Sequence, residues 1–287
     1  MNLNDTYLVF AGKEKYVMRI YRSGWRTFPE IAEELRFVTF LNSHNLSVSI
    51  PVADRKGNFI KEISLSEGQR FAVLFSYAEG ERLQYNDVQD GYAFGRSVAM
   101  IHERAIQFPH RSARQPLHES ALIKQPTTGF INAEVYESID RRELLSVSHD
   151  LMNKLRHITA LLEETYCHGD LHGGNAHMYK DTLTHFDFDC SGLGWVSYDI
   201  AVFLWYLEKF KSPDTGEAVW QAFLDGYSSI RLLKKIDADA VRLFCAIRQL
   251  WFLEIKLKVA DTFGQNLFER RLVEQEVTTL YSLHHKI

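Results

Sequence analysis

The sequence predicts an α+β chain of two lobes, a small antiparallel β-sheet lobe with one helix over residues 1–78 and a larger, mostly helical lobe over 79–287. Short β-rich runs crowd the first part of the chain, and apolar residues at helical spacing dominate the rest. Between them Ala78-Glu79-Gly80 breaks the apolar pattern and marks the boundary. A cleft is expected between two such lobes, and ligands commonly bind in clefts of that kind.

Thr6 to Phe10 and Tyr16 to Tyr21 are β-rich runs separated by Ala11-Gly12-Lys13-Glu14-Lys15, which reads as a hairpin. Pro29 to Leu41 carries Ile31, Leu35, Val38 and Leu41 at helical spacing behind a proline near the first turn. Phe59 to Ile63 and Arg70 to Tyr77 return to strand, joined by a turn containing Glu67-Gly68. Past the boundary, Val88, Tyr92, Gly95, Val98 and Ile101 mark one helix, and Leu144 to Glu164 reads as another. Pro109 to Phe130 has little periodicity and reads as a loop or insertion. Further helices are expected over Asp199 to Phe210, Glu217 to Tyr227, Asp237 to Val259 and Leu267 to Leu283. No internal repeat or low-complexity tract interrupts this order.

With 46% hydrophobic and 24% charged residues, the composition suits a folded protein with a substantial core. A formal net charge of -4 provides no broad basic field, so no nucleic-acid partner is expected. Arg141-Arg142 and Lys234-Lys235 read as solvated faces. Cys167, Cys190 and Cys245 fit neither a framework of bridges nor a metal spacing, and are expected as buried apolar residues in a reducing compartment. Met1-Asn2-Leu3-Asn4-Asp5 lacks a signal-peptide pattern, and no apolar run approaches the roughly 20 residues that span a bilayer. A soluble, cytoplasmic protein with no membrane partner is the expectation.

The chemistry concentrates in two stretches, His168-Gly169-Asp170-Leu171-His172-Gly173-Gly174-Asn175 and His185-Phe186-Asp187-Phe188-Asp189, followed by Asp199-Ile200-Ala201. An Asp, an Asn five residues later and another Asp after a short hydrophobic run are what kinase-type phosphoryl transfer needs. Asp170 is the candidate base that takes a hydroxyl proton. Asn175 and Asp187 offer the hard oxygens that Mg²⁺ prefers. Gly169, Gly173 and Gly174 let the loop bend and bring these groups close to phosphates. The bland reading is a set of polar turn residues that cap helices and strands.

These motifs resemble the aminoglycoside phosphotransferase and choline kinase superfamily, whose fold is related to protein kinases. The family pattern is His-Gly-Asp, an Asn five residues after the Asp, an Asp at a strand end, then Asp-Ile/Leu-Ala, and the chain supplies His168-Gly169-Asp170, Asn175, Asp187 and Asp199-Ile200-Ala201. The resemblance implies a two-lobed protein-kinase-like fold, ATP (or GTP) as donor and Mg²⁺ as cofactor. It also implies Asp170 as base, Asn175 and Asp187 as metal ligands, and Asp199 as a brace for the catalytic loop, although an Asp opening a helix is also a good cap. His168 and His172 flank the base as supporting residues. Asp189 stands where protein kinases have the Gly of Asp-Phe-Gly; it could join the metal site, approach a cationic substrate or be a solvated carboxylate.

Toward the N-terminus, alternation puts Val17 and Arg19 on one strand face, where the family keeps a basic residue for the nucleotide phosphates. Glu34, with Glu33 as its competitor, is the implied partner of Arg19. Phe75-Ser76-Tyr77-Ala78 resembles the adenine-binding connector, with the Ser76 carbonyl and the Ala78 N–H meeting the purine edge. The family's first strand and phosphate-covering loop should precede the hairpin. Asn4-Asp5-Thr6-Tyr7 resembles only the end of that loop, so a trimmed lobe or a late-started reading frame is expected.

Other readings compete. Gly169-Asp170-Leu171-His172-Gly173 reproduces a metallophosphoesterase string in which His168, Asp170 and His172 would be ligands, but the Gly-Asp-x-x-Asp-Arg-Gly and Gly-Asn-His-Glu contexts are missing. Asp187-x-Asp189 could serve an aspartyl-nucleophile phosphatase, yet it lies past the middle of the chain in a helical half. A kinase-like regulatory protein with weak catalysis is a further alternative, as is a protein Ser/Thr kinase. For a small-molecule kinase the acceptor alcohol is an aminoglycoside, choline or ethanolamine, homoserine or a similar amino alcohol. Trp205, Tyr206, Trp220, Tyr227, Arg248, Trp251 and Glu254 could line its site, or form core.

Overall fold

The computed structural model describes residues 4–66, 68–132, 140–263 and 270–287. In chain order it has β1 (Asp5–Ala11), β2 (Glu14–Ile20), α1 (Phe28–Ser43), β3 (Pro51–Val52), β4 (Ile60–Leu65), β5 (Gly68–Ser76), β6 (Glu81–Arg82) and α2 (Val88–Ala105). Next come α3 (Gln125–Asn132), α4 (Arg141–Ile158), β7 (Glu164–Cys167), β8 (Ala176–Tyr179), β9 (Thr182–His185) and β10 (Gly192–Trp195). The chain closes with α5 (Val196–Phe210), α6 (Pro213–Ser228), α7 (Lys235–Phe263) and α8 (Arg270–His284). Two compact units result, one from residues up to Arg114 with His172–Ser191 and Glu217–Arg231, the other from Gln115–Leu171, Gly192–Gly216 and Leu232 onward.

The first unit is built on an antiparallel sheet of order β1-β2-β5-β3, with β4 also paired to β5. The expected hairpin forms between β1 and β2, and Gly12 at φ 64° makes its turn without a Cβ penalty. Thr27 starts α1 in extended conformation, and the Glu30 carboxylate accepts both its N–H and its hydroxyl at 2.8 Å. Ile31 and Leu35 of α1 then pack on Val73, Phe75 and Tyr21 of the sheet. A second small sheet, β6-β8-β9, carries the residues that flank the motif loops. Helix α2 meets α6 backbone to backbone: a Cβ on Gly95 would lie 2.0 Å from the Phe223 carbonyl oxygen.

In the second unit, β7 pairs antiparallel with β10, and α7 packs on α3, α4, α5 and α8. Two sequence expectations need correction. The helix expected over Leu144 to Glu164 ends at Ile158; Thr159–Leu161 tighten to a 3₁₀ turn, and Glu164 already opens β7, whose ladder with β10 takes over the backbone bonds. The aperiodic stretch from Pro109 is partly helical, a π turn at Ser120–Lys124 running into α3. Its buried residues Leu122, Ile123, Pro126 and Phe130 do follow a helical face, which Pro126 and Gly129 disguise as a loop. The strand turn expected at Glu67 and the first residues of the helix expected from Leu267 lie outside the described residues. Among the described residues no helix is long and apolar enough to cross a membrane.

Candidate active site

The first unit gathers one group of predicted residues. Strand β9 ends at His185, and Asp187 turns the chain in the left-handed region at φ 68°. The Phe186 N–H donates to the Asn175 carbonyl at 3.0 Å, so the residues leading into β8 and out of β9 lie side by side. Asn175 is buried, while the Asp187 carboxylate is 46% exposed. A carboxamide and an accessible carboxylate at neighbouring strand ends are a donor set that fits a hard divalent cation.

Arg19 projects from β2 and joins this group. Its Nη2 meets Asp187 Oδ1 at 2.9 Å and its Nη1 meets Glu34 Oε1 at 2.6 Å. Burial disfavours the charge on Arg19, but Asp187 and Glu34 outweigh it and raise the guanidinium well above its ordinary value. Glu34 is fully buried; its Oε2 also accepts from the Tyr21 hydroxyl at 2.9 Å and from Arg114 Nη2 at 3.1 Å. Burial and the Glu34 charge push the Tyr21 hydroxyl well up. Glu33 is occupied elsewhere, by Arg36 at 2.5 Å and by the Arg111 N–H at 2.6 Å.

Asp189 is neither a solvated carboxylate nor open to a cationic substrate. It is 3% exposed and accepts from Asn4 Nδ2 at 2.9 Å, Trp25 Nε1 at 2.7 Å and Arg26 Nε at 3.0 Å. Burial raises its carboxyl, yet Arg26, Arg19 and Arg114 together overcome this and hold it at about 2. Arg114 completes the cage. Buried at 5% exposure, it donates to the carbonyls of Glu30 at 2.8 Å and Ser191 at 3.0 Å, and to that of Asp189. Sequence reasoning missed Arg114, Trp25 and Arg26, because nothing local separates a buried strut from a solvated charge.

In the connector, the Ser76 carbonyl accepts from the Ser49 hydroxyl and the Ala78 carbonyl accepts from His177 Nδ1 at 2.8 Å. A carbonyl oxygen has two lone pairs, so one such bond does not exhaust Ser76. His172 Nδ1 accepts the Gly174 N–H at 2.9 Å, and Gly173 packs so closely that a Cβ there would meet the Tyr85 ring at 1.8 Å. Trp220 and Tyr227 belong to this unit's core, Trp220 stacked on Phe223 and Tyr227 bonded to His102.

The second unit holds the rest. After β7 the chain bends at Gly169, φ 80°, and presents Asp170. Asp199, fully buried in the first turn of α5, accepts the His168 N–H at 2.7 Å and the Gly169 N–H at 2.8 Å. The cap reading of Asp199 is thereby corrected: Trp195 occupies the cap position, and the carboxylate spans to the loop instead. His168 is buried, and its Nδ1 accepts the Asp170 N–H at 3.3 Å. Arg248 of α7 ion-pairs with Asp170 through Nη2 and reaches the Gly169 carbonyl and the Tyr198 hydroxyl at 3.3 Å each. Its guanidinium lies over the rings of Trp251 and Trp205, 4.3 and 5.4 Å from their centroids. Cys167, beneath the loop, has its thiol pushed well up by burial and by Asp199.

Comparison with known proteins agrees with this chemistry. Residues 2–233 match the family described as phosphotransferase enzyme family, APH. An uncharacterized protein of Deinococcus radiodurans is 32% identical over 285 residues, covering 95% of this chain and 80% of that one. Amicoumacin kinase hAmiN, solved with AMP-PNP, Ca²⁺ and Ami, superposes with a TM-score of 0.81 at 21% identity, covering 99% of this chain and 86% of that one. The microcompartment-associated aminopropanol kinase gives 0.79 at 22% identity, covering 99% and 88%. These likenesses show the protein-kinase-like fold, with its antiparallel sheet, single sheet-packed helix and helical remainder. A chain whose loop aspartate, strand-end carboxylate and buried Arg–Glu pair accompany such a match belongs to the APH phosphotransferase enzyme family, a family of small-molecule kinases.

Proposed function

We propose that the protein transfers the γ-phosphoryl group of ATP, with GTP as the alternative donor, to a hydroxyl of a small amino alcohol in the cytoplasm. The observation that carries this reading is the meeting of Arg19 with Glu34 and Asp187, groups far apart in sequence and joined at 2.6 and 2.9 Å. An arginine held between a helix carboxylate and a metal-type carboxylate is suited to the phosphates of a nucleotide. In this reading residues 1–78 form the nucleotide lobe and 79–287 the catalytic lobe, with the Ser76 carbonyl and Ala78 N–H at the purine edge.

Asn175 and Asp187 would hold Mg²⁺, which supplies charge neutralisation on the phosphates. Asp170 orients the acceptor hydroxyl and takes its proton as the new phosphorus–oxygen bond forms. Asp199 keeps the loop in place through the His168 and Gly169 N–H groups. An amino alcohol is the favoured acceptor because the superposing structures include an aminopropanol kinase.

The test is ATP consumption with Mg²⁺ over 1-amino-2-propanol, ethanolamine, choline, homoserine and kanamycin, for the wild type and Asp170→Asn. Turnover should fall by about 10²–10⁴-fold in the variant, with nucleotide affinity near wild type. Undiminished turnover in the variant, or no Mg²⁺-dependent nucleotide affinity in the wild type, would refute the proposal.

A further inference from the structure

Asp170 does not stand alone in its unit. A fixed cation, Arg248, faces it from a helix residue 78 positions away in sequence. Arg248 is 3% exposed, and each end of its guanidinium has a defined contact. Nη2 is on Asp170 Oδ1, while Nη1 donates to the Gly169 carbonyl and the Tyr198 hydroxyl, both at 3.3 Å. The flat face lies over the Trp251 and Trp205 rings. Trp205 is itself pinned, its Nε1 donating to Gln249 Oε1 at 2.7 Å, and Gln249 Nε2 donates onward to the Glu276 carbonyl at 2.9 Å. The arginine fork therefore cannot swing without breaking a stack and a chain of hydrogen bonds.

We infer that Arg248 is a positioning residue for phosphoryl transfer: it fixes the direction of the Asp170 carboxylate and ties the base to α5 and α7. This rests on the proposal that Asp170 is the base. A base on a glycine-bent loop has rotational freedom to lose at the moment of reaction. Contacting one oxygen, Oδ1, as well as the preceding carbonyl of Gly169, restrains both the side chain and the backbone that carries it. A lysine at the same place would offer a point charge without the fork, so it could not hold both contacts or lay a flat cation over the indoles.

The experiment is a double-mutant cycle of Arg248→Met and Asp170→Asn, read twice on the full chain. In urea unfolding each single variant should lower the midpoint, and the double variant should lose less than the two losses combined, because the pair is removed once. In ATP turnover with Mg²⁺, using the most active alcohol of the acceptor panel, Arg248→Met should lower kcat by about 10²-fold in the wild-type background. In the Asp170→Asn background the same change should cost less than about threefold, since its route of action is gone. Nucleotide affinity should stay near wild type in both, and Arg248→Lys should recover only part of kcat. Methylguanidinium should partly restore Arg248→Ala, because the Trp205 and Trp251 rings that the arginine lies over remain to hold a free guanidinium.

Equal kcat losses from Arg248→Met in the two backgrounds would overturn the positioning role, as would full activity in Arg248→Met. Additive urea losses would overturn the pair itself. A cycle that couples in urea in a protein with no Mg²⁺-dependent nucleotide affinity sinks the phosphotransfer reading of Asp170, and the positioning role falls with it, while the pair stands.

Discussion

Replacing Asp189 with asparagine should destabilise the protein by roughly 2–4 kcal/mol at pH 7, and the deficit should shrink in acid. The size follows from the site. Asp189 is buried, receives Asn4, Trp25 and Arg26 at 2.7 to 3.0 Å, and has Arg114 Nη2 at 4.0 Å. Holding a carboxyl at about 2, against its ordinary 3.8, is worth roughly 2–3 kcal/mol at neutral pH. Asparagine keeps one acceptor oxygen but turns an amide NH2 toward the donors of the cage, which adds to the loss. The folded-state value lies below the unfolded one, so the stabilisation is complete above about pH 5 and disappears as the pH falls through about 2. Urea unfolding of wild type and variant at pH 7, 4 and 3 measures the gap, which should be about half its neutral value at pH 3. Equal stability at pH 7, or a gap of constant size down to pH 3, would show that the charge on Asp189 is not what the cage is built around.

Arg114→Met, which strips a partner from Glu34 and donors from three carbonyls, should cost about 3–5 kcal/mol in urea unfolding and, if Asp187 holds the metal as proposed, raise the Mg²⁺ concentration needed for ATP binding; unchanged binding would detach Arg114 from the proposed metal site. Gly173→Ala should destabilise by about 1–3 kcal/mol in urea unfolding, because its Cβ would enter the buried Tyr85 ring, and the same change should cost less in a Tyr85→Ala background. Cys167, Cys190 and Cys245 should resist a disulfide-exchange reagent in the folded protein and react fully in guanidinium, as buried thiols do. Glu119, held at about 2 by Arg156 and Lys124, is solvated, so Glu119→Gln should change stability by less than about 1 kcal/mol despite the low value.

Much of the fold was legible locally. The hairpin, the proline-led α1 and strands β1, β2, β4 and β5 of the first sheet follow from alternation, helical spacing and a glycine turn, all short-range preferences, whereas the two-residue β3 carried no such signal. Where local signals conflict, the reading failed. Pro126 and Gly129 hid α3, whose burial against α7 outweighs their propensities, and β7 cut short the expected helix because a distant strand, β10, satisfies its backbone.

The same division runs through the candidate site. Spacing and residue type singled out Asp170, Asn175 and Asp187 as candidates, since a loop proposed to reach phosphates and a metal would constrain residue types within a few positions. Which of Glu33 and Glu34 faces Arg19, whether Asp189 is solvated or enclosed, and whether Asp199 braces the loop or caps its helix were open in the sequence. Charge pairing acts over a few ångströms of space and is blind to separation along the chain. Only the tertiary packing could bring Arg114 to Glu34 and Arg248 to Asp170, and with them decide which charges are struts.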